Sequence, residues 1–379
     1  MANVLTDLAA DIYKAADVVG RELVGFIPAV TVNANGSERV AKGDVVRASF
    51  TRAASVVDVS ESMTIPEGTD QTVDNKTLTI SKTRAVQIPY TGEDVRHLNN
   101  GIGFETVYGD QIAQAMRALV NEIEADVAAE AYTNASRAFG TAGTTPFGSN
   151  FSEVAEIRQI LADNGMPMND GQASIVLNTV AGTNLRQLAQ LQKANESGGT
   201  DLLRQGVLLD LQGLMMRESA QVQSHTKGTG ASILVNGALA AGDTSVDADG
   251  GSGTILAGDV VTFNGDSNKY VVNTALSGGT FAIGAPGARG AIADNAAITV
   301  GNSYTANVAF HRRALELAIR PLAEPPSSLA SDTMTVSDAA SGLTFTVSVY
   351  PGYHKSMIEV SVAWGVKAWK PDFIATLMG

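Results

Sequence analysis

One stretch constrains this chain more than any other: the unbroken helical period from Phe104 to Tyr132. Phe104, Tyr108, Ile112, Met116, Leu119, Ile123, Val127 and Ala131 recur every three or four residues, the spacing that lines one face of an α-helix with apolar side chains. No Gly or Pro interrupts from Gln111 to Tyr132. About 28 residues at 1.5 Å each give a helix roughly 40 Å long, longer than a compact enzyme domain needs and suited to a structural spine. Glu122, Glu124, Asp126 and Glu130 lie on it. Glu122/Asp126 and Asp126/Glu130 share a face at i,i+4, where like charges are mildly destabilising. The ordinary reading is a solvated face; the alternative is a site for a basic partner segment.

The segments on either side differ in kind. Residues 4–24 place Val4, Leu5, Leu8, Ile12, Ala15, Val18, Val19 and Leu23 at helical spacing, with Thr6 or Asp7 as a start signal and Gly20 or Gly25 as a stop. They predict an amphipathic arm. Residues 29–91 alternate with period two in Ala29-Val30-Thr31-Val32, Asp44 to Phe50, Thr77 to Ile80 and Ala85 to Pro89, which predicts short strands. The polar excursion Asp58 to Lys76 between them predicts a long, projecting β-loop.

After the spine, a helix is expected from Ser152 to the Asn164-Gly165 stop. A buried strand follows at Ala173 to Leu177, then a second helix through Leu185, Leu188 and Leu191. Residues 229–302 lack a helical period. They carry the turn pairs Asn236-Gly237, Asp249-Gly250 and Asn264-Gly265, so a small Gly-rich β-barrel or sandwich is expected there. Helical character is expected again from Asn307 to Arg320, ended by Pro321, before a β-rich tail. The overall class is α+β, with the β-module inserted into a mixed region.

Composition narrows the function. Of 379 residues, 44% are hydrophobic and 17% charged, which provides for a sizeable core and excludes a disordered chain. The net charge is −13, and no basic stripe exists to track phosphates. The densest basic cluster, Arg312, Arg313 and Arg320, has Glu316 among it. There is no cysteine, so thiolate chemistry is excluded. The N-terminus lacks a signal-peptide pattern and no stretch approaches a membrane span, which predicts a soluble protein made in a cytoplasm.

No catalytic, cofactor-binding or metal residue emerges. His97, His225, His311 and His354 do not pair at i+3 or i+4, against zinc-type spacing. GxSxG is absent. Ser224-His225 is read as a neighbour pair with a loop histidine. Gly228-Thr229-Gly230-Ala231-Ser232 matches only part of GxGxxG, with Leu234 at the third glycine position, and is read as a turn. Trp364 and Trp369 are read as core or interface packing, since no basic groove accompanies them.

The order of segments resembles a family: amphipathic arm, long β-loop, long helix, α/β domain, returning strands. It is similar to tailed-bacteriophage major capsid proteins of the Hong Kong 97 fold. Ile175-Val176-Leu177-Asn178 with the Leu185 helix resembles the strand–helix unit of the axial domain. Gly206 to Ser219 is similar to the segment ending in Glu-Ser. Trp364-Gly365-Val366-Lys367 with Lys370-Pro371 looks like the closing strand. The insert before Ala309 to Leu315 resembles the Salmonella podophage branch, which carries a β-domain at that place.

The resemblance implies an arm (1–28), an extended β-loop region (29–98), a spine (99–150) and an axial domain (151–228). An inserted β-domain (229–302) and a return to the axial and peripheral domains (303–379) follow. It implies a virion protein assembled in the host cytoplasm. Copies would form pentamers and hexamers with a scaffolding protein, a portal and a possible decoration protein. The shell would enclose DNA without sequence-specific binding, with no cofactor, catalysis or membrane. Assembly-interface candidates are Glu61, Glu67, Asp70 and Asp74, with Lys76 and Lys82 as loop lysines of the kind that some relatives crosslink to an asparagine. Rival expectations are a tail-tube or baseplate protein, a bacterial nanocompartment shell, and a carbohydrate-binding β-module protein.

Overall fold

The computed structural model describes residues 24–34, 38–51, 58–59, 61, 63–64, 73–99, 104–192, 210–324, 329–337 and 343–379. The arm expected over residues 4–24 therefore lies outside the described residues, apart from Val24. So do residues 206–209 and most of the polar excursion, including Glu67 and Asp70.

In chain order, the first part holds β1 (Thr31–Ala34), β2 (Val45–Thr51), β3 (Val73–Thr79) and β4 (Lys82–Thr91). It continues with α1 (Gly92–Asn99), the spine helix α2 (Phe104–Thr133) and β5 (Arg137–Gly140). At 30 residues, α2 is about 45 Å long. Its buried stripe, Ile112, Met116, Leu119, Ile123 and Val127, is the one set by the period. It lies against β4 and the later strands of the chain, and each such side chain contributes about 1.5–3 kcal/mol on burial. β2 and β3 form a separate antiparallel pair, from Val45 opposite Thr79 to Thr51 opposite Val73. Asp74 and Lys76, expected in the polar excursion, thus belong to a strand.

The second part holds α3 (Ser152–Asp163), β6 (Ala173–Leu177), α4 (Thr179–Gln187), the short turn α5 (Ala189–Gln192), β7 (Met215–Glu218) and β8 (Ser224–His225). The second helix expected through Leu191 is thus two pieces. Then come β9 (Ile233–Val235), β10 (Ser245–Asp249), β11 (Val260–Phe263), β12 (Lys269–Ser277), β13 (Thr280–Ile283) and β14 (Ala297–Val300). Along β10, Val246 and Ala248 point inward while Ser245, Asp247 and Asp249 face out, the alternation of a strand with one wet face. The order β11-β14-β9-β10-β13-β12, with β11 also paired to β12, closes a barrel. Phe263, Tyr270, Phe281 and Ile298 fill it.

The last part holds β15 (Tyr304–His311), β16 (Leu315–Arg320), β17 (Asp332–Ser337), β18 (Thr344–Pro351), β19 (Lys355–Ala368) and β20 (Ile374–Met378). The helix expected over 307–320 is absent. Two strands stand there, separated by a 3-10 turn at Arg312–Ala314. The cause is burial on both faces. Val308 and Phe310 pack towards the spine, while Ala309 between them packs under α3 and α4. A run that is apolar on both sides carries no period to separate strand from helix.

Two sheets organise the molecule. One runs β1-β16-β19-β18-β17, with β4 also on β19. The other continues from the barrel as β12-β5-β20-β15-β6-β7, with β8 on β15. β5 is the joint: Lys269 lies opposite Ala138, and Tyr270 opposite Arg137. The β2–β3 pair rests on β19 at Gly365, where a Cβ would come within 2.2 Å of the Thr79 carbonyl oxygen. Among the described residues, no helix is long and apolar enough to cross a membrane.

Candidate functional site

The spine-helix carboxylates are not a solvated face. Lys82 Nζ lies 2.8 Å from Asp126 Oδ1 and 3.1 Å from Glu122 Oε1, and Arg84 Nε donates to Glu122 Oε1 at 3.0 Å. The basic segment is therefore β4 of the same chain, and it relieves the i,i+4 repulsion. Burial disfavours the Lys82 ammonium, but Asp126 and Glu122 outweigh it and hold its pKa above the ordinary value. Burial would also raise Glu122, but Arg84 and Lys82 hold it below the usual carboxylate range. Trp364 Nε1 donates to Asp126 Oδ2 at 2.9 Å, and the Ala368 amide to Glu130 Oε1 at 3.0 Å. These acids fasten β4 and β19 to the spine.

Glu124 points the other way and is fully buried. Its carboxylate accepts three consecutive backbone amides: Gly25 at 2.6 Å, Phe26 at 2.7 Å and Ile27 at 2.9 Å. The Ser219 hydroxyl adds a fourth bond. Burial pushes the carboxyl above its ordinary value, against the pull of these donors. Next to Ser219, Glu218 takes a bidentate ion pair from Arg186 on α4. One polar chain thus ties α4, the end of β7, the spine and residues 25–27. Gly25 allows it, since a Cβ there would meet both the Glu218 carbonyl oxygen and Val176 Cγ1 at 2.7 Å. Phe26 then stacks on Phe310 with ring centroids 6.0 Å apart.

Sequence reasoning missed this cluster. One signal was present: Val120, Ile123, Glu124, Val127 and Ala128 share a face at i,i+3,i+4 spacing. A lone acid inside an apolar stripe calls for a buried partner.

The assembly candidates are scattered rather than gathered. Glu61 is exposed, and the side chain of Asp74 lies outside the described set, as do Glu67 and Asp70. Both lysines are on strands. Lys76 Nζ lies 3.4 Å from the Trp369 carbonyl oxygen and 5.9 Å from its ring centroid, while Lys82 is held by the spine. Trp364 is fully buried, and Trp369 Nε1 donates to Glu316 Oε2 at 2.6 Å. The basic cluster also comes apart, because Arg320 is buried against Asn33 and Glu38.

His225 is not a loop histidine. It is buried on β8, and its Nε2 lies 2.8 Å from Asp259 Oδ1, with Tyr132 and Tyr304 flanking the ring. Asp259 also accepts the amides of Gly228 and Leu256. The pair clamps the barrel to the body, and the Gly228–Gly230 turn packs on it. A cleft of about 480 Å³ opens between α3, β5 and the loop before β12, lined by Arg137, Glu153, Asp163 and Lys269. Among the described residues, no group of three or more His, Cys, Asp or Glu could hold a metal ion.

No family model matches the sequence, and neither does any curated protein. Solved structures do. A chain in the capsid structure of cyanophage P-SCSP1u is 12% identical with a TM-score of 0.51, over 92% of this chain and 86% of that one. A Mycobacterium phage Che8 structure is 14% identical with a TM-score of 0.47, over 89% and 85%. A chain of the bacteriophage PhiM1 mature capsid is 10% identical with a TM-score of 0.45, over 93% and 86%. The cyanophage match carries the assignment: over most of its length, this chain has the α+β fold of a phage capsid chain.

Proposed function

We propose that the chain is the major capsid protein of a tailed bacteriophage, a shell subunit rather than an enzyme. The observation that carries this is the fold shared with the cyanophage capsid chain. The internal bonding agrees with it: the polar clusters of the spine and of β8 are fully engaged in holding elements together, as a load-transmitting subunit requires.

On this reading, copies form pentamers and hexamers around their axial parts (151–228), and the 29–98 region lies across a neighbour. The barrel (229–302) is an inserted module beside the axial part. A scaffolding protein and a portal direct closure, a decoration protein is a further partner, and DNA is enclosed without sequence-specific contacts. The site of action is the virion, after assembly in the host cytoplasm.

Expression of the full chain, alone and with a scaffolding protein, tests the reading by sedimentation and negative-stain microscopy. Closed icosahedral particles or curved sheets are expected. A chain that stays monomeric at high concentration in both cases, or that builds only tubes, refutes it.

A further inference from the structure

His311 ends β15, where the chain leaves the sheet that carries the barrel, and the 3-10 turn Arg312–Ala314 delivers it to β16 of the other sheet. The chain crosses back between β19 and β20, through a second 3-10 turn at Pro371–Phe373. The two crossings touch. The Trp369 amide donates to the Ala314 carbonyl oxygen at 2.7 Å, and the His311 and Phe373 rings meet edge to face with centroids 6.3 Å apart. His311 is 1% exposed, and both of its ring nitrogens are used. Nδ1 lies 3.1 Å from the Arg313 amide nitrogen, and Nε2 lies 2.8 Å from Asp170 Oδ2. A backbone amide can only donate. Nδ1 is therefore bare, and the one ring N–H sits on Nε2 and is donated to Asp170.

We propose that His311 is a proton-sensitive latch on this joint: a proton taken up at Nδ1 breaks the cap on the 312–314 turn and loosens both crossings. The inference stands on the single subunit and is independent of the shell reading. A protonated imidazole has a donor on each nitrogen and no acceptor, so the Arg313 amide then faces another N–H. His311 is the N-cap of that turn, and the lost bond leaves a first-turn donor without its partner. Histidine is the side chain whose charge ordinarily changes between about pH 5 and 8. The charged groups on the elements around the ring are Asp170 ahead of β6, Arg312 and Arg313 next in the chain, and Lys370 and Asp372 on the second crossing. The bond from His311 holds the Asp170 carboxyl below the usual carboxylate range, so Asp170 stays an anion throughout that interval. It is exposed and gives the proton a route from solvent. The ring thus trades a neutral cap for an ion pair, which is a switch of partners rather than an unfolding.

The test uses the full chain as free subunits with isotope-labelled histidine rings, of which there are only four to assign. At neutral pH the His311 ring should show a bare Nδ1 and a protonated Nε2. As pH falls, Nδ1 should take up a proton, and the Arg313 and Trp369 amides should lose about tenfold of their protection from hydrogen exchange in step with it. A proton on Nδ1 at neutral pH overturns the proposal. So does a ring that stays neutral until the chain unfolds in acid, or one that titrates with no change at Arg313.

Two variants assign the sensor. His311→Asn keeps an acceptor oxygen where Nδ1 stands but takes up no proton, and should hold Arg313 protection level across the same interval. His354→Asn removes an exposed ring at the turn between β18 and β19 and should leave the wild-type response intact. A His311→Asn subunit that still loses protection as pH falls, or a His354→Asn subunit that no longer does, shows that another group takes the proton and overturns the proposal. If asparagine at 311 does not support the fold, the wild-type titration and exchange decide alone.

Discussion

Replacing Glu124 by alanine should be among the most damaging single changes in the spine. The substitution strips partners from three buried amides whose bonds are 2.6–2.9 Å long. Each orphaned donor costs about 1–3 kcal/mol. Against this, removing the acid also removes the penalty of keeping a carboxylate dry, itself several kcal/mol. The net loss should be about 2–4 kcal/mol. Glu124→Gln keeps the volume but turns an NH2 towards backbone donors, and should cost about 1–3 kcal/mol. Urea unfolding of the free subunit measures both, and amide hydrogen exchange at Gly25 to Ile27 localises the effect. The sign of the pH dependence follows from the raised pKa. The folded chain takes up the Glu124 proton before the unfolded chain does, near 4.5. Its contribution to stability therefore grows as pH falls through the folded value towards 4.5, and is absent in the Gln variant. An alanine variant within about 0.5 kcal/mol of wild type, with slow exchange retained at residues 25–27, would refute the clasp.

Four further outcomes are expected. Asp259→Ala orphans two amides and the His225 ring and should cost about 3–5 kcal/mol, read as a lowered melting temperature; an unchanged melt removes the clamp. Lys82→Ala should cost only about 0–1 kcal/mol, because the pair is partly exposed. It should also flatten the pH profile at both ends: Glu122 contributes above its unfolded value and loses this as pH falls through its lowered folded value, while Lys82 loses its contribution as pH rises through its raised one. Reversing Glu61, Glu67, Asp70 and Asp74 to lysine should impair shell assembly yet leave the subunit's circular dichroism intact; normal shells at the normal rate would show that these acids are not intersubunit contacts. A 229–302 fragment should give a dispersed amide spectrum with fast exchange at Lys269 and Val271, whose amides face the β5 side that it lacks; collapsed peaks would show that the barrel depends on β5.

The spine helix was legible because one face meets the core and the other does not, so burial left a period in the sequence. The alternation in β10 was legible for the same reason. β15 was not, because Val308, Ala309 and Phe310 are buried on alternating sides and erase the period. The cluster at Glu124 was hidden by distance along the chain: its donors lie almost a hundred positions earlier and Ser219 almost a hundred later. Four residues of β5 decide how the barrel is attached, and nothing in Arg137-Ala138-Phe139-Gly140 announces a strand between two others. His225 was misjudged because Asp259, its partner, lies 34 positions later, just ahead of β11.

The pairing of β1 with β16 has a consequence for how the chain is made. Thr31 finds its register beside Glu316, and β16 is itself fixed by Leu315 to Arg320 lying against Ala363 to Ala368. At ribosomal speeds of about 5–20 residues per second, the earliest strand waits on the order of tens of seconds for its neighbour to emerge. Residues 25–27 wait in the same way for Glu124 and Ser219. Residues 25–34 are therefore among the last to dock, which makes folding a largely post-translational event with slow, long-range closure. During that interval, Phe26, Ile27 and Val30, all buried in the finished subunit, stay uncovered on the nascent chain. A chaperone that recognises short apolar segments would find its substrate there.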